Sequence, residues 1–257
     1  MMNAYIIGLV IAFFTPLAGL FMVLRRYAMI GDTLAHIALA GVAIGIVVGT
    51  LPTFIAFAVT VAAAVLIEYL REYRKVSGES ALAMLLYGGL ALAVVLFGVA
   101  KQDINEDLLF GSLETVKAGH LGPVVLIAAV VLFAVLMFWK ELTYSSFDEE
   151  TARVQGVPVR FVNMLLVVLT AVTVSFALKI VGVLLVGALM VIPVLTALQV
   201  ARSFRSASVI AVVASMLSVL VGLAAAQRYS LAAGGVIVLA AFVLFFIALG
   251  VRRFTRV

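Results

Sequence analysis

Two residues have the types and spacing to hold a cation inside an apolar stretch: Asp32 and His36, in Gly31-Asp32-Thr33-Leu34-Ala35-His36. They are the only ionisable groups among the 39 residues from Met29 to Ile67. Four apart on a helix, they share one face with Cβ atoms about 6 Å apart. A carboxylate oxygen and an imidazole nitrogen are zinc ligands, and manganese accepts the same set with added waters or carbonyls. Ionisable groups at membrane depth are costly and mark polar cavities or transport routes. A second reading needs no ligand. Asp32 caps a helix after Gly31, held near the membrane boundary by Arg25 and Arg26, and His36 bonds a neighbouring carbonyl. Spacing alone leaves both open. Zinc usually takes four ligands, and this chain has no third intramembrane histidine. Two copies around a shared axis would supply two Asp and two His.

The elements that must position this pair are membrane helices. Of the 257 residues 66% are apolar and only 11% charged, with a mean hydropathy of +1.33. Soluble domains carry roughly 25% charged residues, so the composition predicts an all-α polytopic membrane protein, one unit over 1–257. Apolar runs long enough to span fall at 1–24, 80–100, 121–138, 161–178, 180–201, 206–227 and 229–251. Met29 to Ile67 would be about 58 Å long as one helix. It must fold back, and Gly49-Thr50-Leu51-Pro52 is the turn. That gives nine hydrophobic segments and eight or nine transmembrane helices. Gly41, Gly45 and Gly49 repeat at the small-xxx-small spacing that lets membrane helices approach closely.

Alternating nine crossings puts Arg25, Arg26, Arg71, Arg74, Lys75, Lys140, Arg153, Arg160, Arg202, Arg205, Arg252, Arg253 and Arg256 on one side. Lys101, Lys117, Lys179 and Arg228 fall on the other, a 13 to 4 division. The positive-inside rule makes the first side cytoplasmic, with the C-terminus there and the N-terminus outside. The first run lacks a basic n-region and a cleavage pattern, so it reads as a retained span. Basic residues at span ends are topology signals, not a nucleic-acid patch. With no cysteine there is no thiolate site.

Lys101 to Gly122 reads as an external loop carrying Asp103, Glu106, Asp107, Glu114 and His120. Lys140 to Arg160 reads as a cytoplasmic segment: Ser146-Phe147-Asp148-Glu149 has capping-box spacing, and Gly156 with Pro158 gives a stop. Glu68 and Lys179 sit at span ends, where snorkelling explains them. No nucleophile–base pair and no G-x-x-x-x-G-K-[ST] loop is present, so neither catalysis nor ATP hydrolysis is expected of this chain.

Leu24-Arg25-Arg26-Tyr27-Ala28-Met29-Ile30-Gly31-Asp32-Thr33-Leu34-Ala35-His36, followed by Gly41-Val42-Ala43, closely resembles the membrane permease subunit of bacterial zinc and manganese ABC importers. Phe110-Gly111-Ser112-Leu113, Ser146-Phe147-Asp148-Glu149 with Ala152 and Gly156, and Val181-Gly182-Val183-Leu184-Leu185 with Ile192-Pro193 and Thr196-Ala197 carry the likeness through nearly the whole chain. The resemblance implies an ABC importer permease fold in the cell membrane. It also implies a homodimer joined to two cytoplasmic ATPase subunits that bind ATP, fed by an extracytoplasmic metal-binding protein. It implies further a divalent metal cargo (zinc, manganese or iron), no cofactor in the chain itself, and a metal path lined by Asp32 and His36. Ser230-Leu231-Ala232-Ala233-Gly234 replaces the Asp-x-Pro-x-Gly of many zinc-type members, and Ala40 replaces a proline of many manganese-type members. The two departures point in opposite directions on metal identity.

Such a permease needs a cytoplasmic element for its ATPase. One candidate is Ser146 to Gly156 with Phe147 and Arg153. The favoured one is Gln199 to Ser206, where Phe204 between Arg202 and Arg205 has the aromatic-plus-arginine composition of interface hot spots. Two other functions compete. A cation-diffusion-type secondary transporter also spaces acid and histidine by four, but usually has six spans. A non-transporting scaffold would leave Asp32 and His36 structural.

Overall fold

The computed structural model describes residues 2–74, 76–101, 121–229 and 231–255, and the regular elements among them are all helices. In chain order these are α1 (Met2–Leu24), α2 (Ile30–Val48), α3 (Pro52–Arg74), α4 (Gly78–Ala100), α5 (Leu121–Met137), α6 (Trp139–Phe147), α7 (Glu149–Val154), α8 (Val159–Val200), α9 (Phe204–Tyr229) and α10 (Ala233–Thr255). A helix satisfies its own backbone groups, which is what an apolar run needs in lipid. Among the described residues eight helices are long and apolar enough to span, counting α8 as Val159–Leu178 and Val181–Val200. The α5–α6 pair, bent by 67°, supplies a ninth if taken as one broken span. The polytopic all-α reading therefore holds, boundaries included to within a few residues.

The α2–α3 turn falls at Gly49, which caps α2 in the left-handed region at φ 71°. A Cβ on Gly41 would lie 2.5 Å from Ala56 Cα, and one on Gly45 2.5 Å from Pro52 Cα. These two glycines thus let α3 rest directly on the backbone of α2, while Gly49 supplies the turn.

The fold-back expected between the apolar runs 161–178 and 180–201 falls inside α8. Its two ends lie at the same end of the bundle. Asn163 Oδ1 accepts from Arg25, beside Ser146, and Phe204, just past the helix, packs on Phe147 at 5.9 Å. A straight 42-residue helix would hold its termini about 60 Å apart. The chain instead reverses at Gly182, whose φ of 79° and ψ of 169° lie in a region open essentially only to glycine. Gly182→Ala is expected to cost about 1–3 kcal/mol. Thermal unfolding of the purified chain checks this, and an unchanged midpoint would show that the reversal does not depend on glycine.

Polar groups knit the basic end together. Arg71 bridges Glu68 at 2.6 Å and Glu149 at 3.0 Å, and Asn163 Nδ2 donates to Glu149 at 3.1 Å. Arg160 pairs with Glu72 at 2.6 Å. Glu68 is thus buried and paired, not snorkelling, because Arg71 one turn along the same face neutralises it. Asp148, not Ser146, caps α7. Its carboxylate accepts from Thr151 Oγ1 and from the amides of Thr151 and Glu150, which hold it below the usual carboxylate range. Ser146 ends α6 instead, donating to the Leu142 carbonyl at 2.6 Å. Gly156, at φ 84°, follows α7 as the stop signal predicts. The expected acidic loop with His120, Phe110-Gly111-Ser112-Leu113, Lys75, Ser230, Arg256 and the Lys179 side chain lie outside the described residues.

Candidate functional site

The start of α2 sets the site. Its N-cap is Met29, which offers no side-chain cap, and Asp32 is the third residue of the first turn. The capping reading therefore does not apply. Nor does Arg25 hold Asp32. The Arg25 guanidinium turns to Ser146 Oγ at 3.0 Å, Ser145 Oγ at 2.5 Å and Asn163 Oδ1. Burial pushes Arg25 down to about 10. Arg25 thereby closes α1 onto α6 and α8 from within the turn in which Arg26 takes φ 63° and Tyr27 N donates to Met22 O.

Asp32 and His36 are both half-buried on one face of α2, which packs against α3, α4 and α8. Among the described residues the Asp32 carboxylate accepts no hydrogen bond, although a buried or half-buried carboxylate ordinarily has several donors. His36 Nδ1 is buried and has no partner, so the carbonyl bond of the ligand-free reading is missing too. Neighbouring Thr33, by contrast, is fully buried and satisfied, donating to the Leu82 carbonyl at 3.3 Å. The helix face is thus polar at two positions one turn apart whose side chains make no hydrogen bond among the described residues. Among the described residues no group of three or more His, Asp or Glu could hold a metal, so one chain offers a carboxylate oxygen and an imidazole nitrogen only.

The spacing of the pair gave no sign of what lies beneath it. Gly31 rests against α8, where its Cβ would stand 3.2 Å from Gly187 Cα. A Cβ on Gly187 would overlap the Asp32 carboxylate, 2.8 Å from its Cγ. Gly187 is therefore the floor on which Asp32 lies. Gly187 was not legible from sequence, because no periodicity links it to α2.

The second group of sequence-selected residues lies at the basic end. Phe204 is half-buried, its ring 5.4 Å from Phe21, 5.3 Å from Trp139 and 5.9 Å from Phe147. Arg202 and Arg205 beside it are exposed. Phe147 is 68% exposed; Arg153 on α7 is exposed too, and Val154 nearly completely so. Phe204 is thus a packed ring and Phe147 a presented one, and the two candidate coupling elements touch each other. Arg153 stands 3.9 Å from Glu72.

Residues 1–252 match the ABC 3 transport family. The chain belongs to that family. Among curated relatives it is 31% identical over 250 residues to a manganese transport system membrane protein, MntC, of Listeria monocytogenes, covering 96% of this chain and 88% of that one. It is 32% identical over 253 residues to a high-affinity zinc uptake system membrane protein, ZnuB, of Haemophilus influenzae, covering 97% of each. Among solved structures it is similar to PsaBC from Streptococcus pneumoniae in complex with Fab, at TM-score 0.83 and 29% identity, over 96% of this chain and 90% of that one. As an ABC 3 member the chain is a membrane permease of the zinc and manganese importer family, and the match runs through both the Asp32 helix and the basic-end network.

Proposed function

We propose that the chain is the permease of an ATP-driven importer that carries zinc or manganese into the cytoplasm, with Asp32 and His36 of two copies as transient ligands in the path. The observation that carries this reading is the unengaged pair on α2: a carboxylate without donors and a buried imidazole nitrogen without a partner, in a family whose relatives are named for these metals. Unpartnered polar groups inside an apolar bundle cost stability unless a ligand uses them. A carboxylate and an imidazole from each of two copies would make the four-ligand set zinc prefers, and manganese takes the same atoms with waters. The basic end is the cytoplasmic side by the charge bias, with the C-terminus on it. Energy comes from a separate ATPase, since this sequence has no phosphate loop, and metal is delivered by an extracytoplasmic binding protein. Vesicles holding the chain with its ATPase should accumulate radioactive zinc or manganese on ATP addition. Uptake persisting without nucleotide or ATPase would replace this reading with secondary transport. Near-equal identity to zinc- and manganese-named relatives leaves the preferred metal to competition between the two ions in the same assay.

Coupling to the ATPase we assign to the paired elements at the basic end. The exposed Phe147 ring and Arg153 form the contact, and the Phe147–Phe204 ring contact carries motion to the α8–α9 corner with Arg202 and Arg205. Sequence composition favours Phe204 as the inserted ring, whereas its packing favours the role of transmitter. Phe147→Ala is expected to cost about 2 kcal/mol of ATPase binding, roughly thirtyfold, without lowering the unfolding temperature. Phe204→Ala instead removes three ring contacts and is expected to destabilise the chain by about 2–3 kcal/mol. Pull-down titration and thermal unfolding separate the two. Normal ATPase binding by Phe147→Ala with loss in Phe204→Ala would restore Phe204 as the contact.

A further inference from the structure

At the bend between α5 and α6 a groove of about 720 Å³ opens beside the start of α9. Its apolar wall is Leu136, Met137 and Val209, each about three-fifths exposed on the outside of helices that otherwise face lipid. Its polar rim is Lys140, Glu141 and Arg205. None of these three forms a salt bridge with another described residue, although neighbouring charges at the same end are extensively paired. Trp139 lies in the groove wall, anchored on Phe21 at 5.4 Å and Phe204 at 5.3 Å. Tryptophan at this level marks the headgroup zone of a bilayer.

The charges specify more than an anion. Basic pockets between membrane helices take lipid phosphates, but here two cations flank a carboxylate. We propose that the groove holds one phospholipid whose head carries both a phosphate and a primary ammonium. The phosphate sits against Lys140 and Arg205 and the ammonium against Glu141, while one acyl chain lies along Leu136, Met137 and Val209. A head with phosphate alone leaves Glu141 facing an anion. A quaternary ammonium has no N–H to donate to the carboxylate, so charge-assisted hydrogen bonding favours the primary amine. This site is distinct from the metal pair on α2 and does not depend on which ion the chain carries.

Trp139 is the sole tryptophan in the chain, so its fluorescence reports on this groove alone. The full chain is reconstituted in phosphatidylcholine vesicles containing a minor share of lipid brominated on its acyl chains, which quenches tryptophan on contact. Brominated phosphatidylethanolamine, phosphatidylglycerol and phosphatidylcholine are compared. Phosphatidylethanolamine should quench at about fivefold lower mole fraction than phosphatidylcholine, the worth of about one net hydrogen bond. Glu141→Gln should remove that preference while sparing the remaining binding. Lys140→Gln combined with Arg205→Gln should weaken binding of all three lipids, and Lys140→Arg with Arg205→Lys should restore it, which rules out simple misfolding. Equal quenching by the three lipids, strongest quenching by phosphatidylglycerol, or no quenching by any because a protein surface covers the groove would each overturn the proposal.

Discussion

Alanine at Asp32 or His36 is expected to lower metal uptake more than about a hundredfold, since even outer-shell partners of a metal cost up to that factor. The chain should remain folded. Neither side chain makes a hydrogen bond among the described residues, so truncation removes a half-buried polar group without breaking one. Its thermal midpoint should therefore stay level or rise. A structural cap behaves in the opposite way, because losing one costs about 1 kcal/mol and lowers the midpoint. Uptake in cells stripped of their own zinc and manganese import, read beside the unfolding temperature, distinguishes the two. Protons compete with metal for a ligating imidazole, so uptake by the unaltered chain should fall as the medium is acidified. Full uptake by both alanine variants would remove the pair from the path.

Gly187→Ala is expected to be nearly as damaging to transport, at about ten- to a hundredfold in metal affinity, although residue 187 carries no ligand atom. A methyl group there overlaps the Asp32 carboxylate, which sits at the end of a short rotatable side chain. The carboxylate turns aside at modest cost, so the fold survives and the ligand geometry does not. Asp32→Glu in the same background lengthens the side chain and should not restore activity, because the backbone of α8 and not reach is the constraint. Metal binding by the purified variant, alongside its unfolding temperature, tests this. Unchanged affinity would mean that Asp32 has more room than its contact with Gly187 allows.

Helix positions were legible because lipid demands long, uninterrupted apolar runs, and the chain marks their ends with Gly49-Thr50-Leu51-Pro52, Gly156 and paired arginines. The pair on α2 was legible for the complementary reason: an isolated Asp and His stand out against 37 apolar or neutral neighbours among 39 residues. What could not be read was whatever depends on distant segments meeting. Gly182 looked like part of a motif, yet its reason is a backbone conformation that reverses α8. Arg25 looked like an anchor for Asp32, yet three acceptors on α6 and α8 claim it. Glu68 looked solvated because a single sequence does not reveal that Glu149 comes round to share Arg71. Ser146 and Asp148 both had capping chemistry, and the end of α6 decided between them by taking Ser146 into its last turn.

The central claim is that His36 and Asp32 contact the transported ion, and the chain's own composition makes it testable at the metal. There are only two histidines, His36 and His120, so any imidazole bound to a metal on the purified chain comes from one of them. X-ray absorption at the zinc edge, on zinc-loaded chain without partner proteins, reads imidazole scattering directly. The account predicts an imidazole and oxygen environment that survives His120→Ala and is lost in His36→Ala. A spectrum unchanged by His36→Ala combined with Asp32→Ala would contradict it.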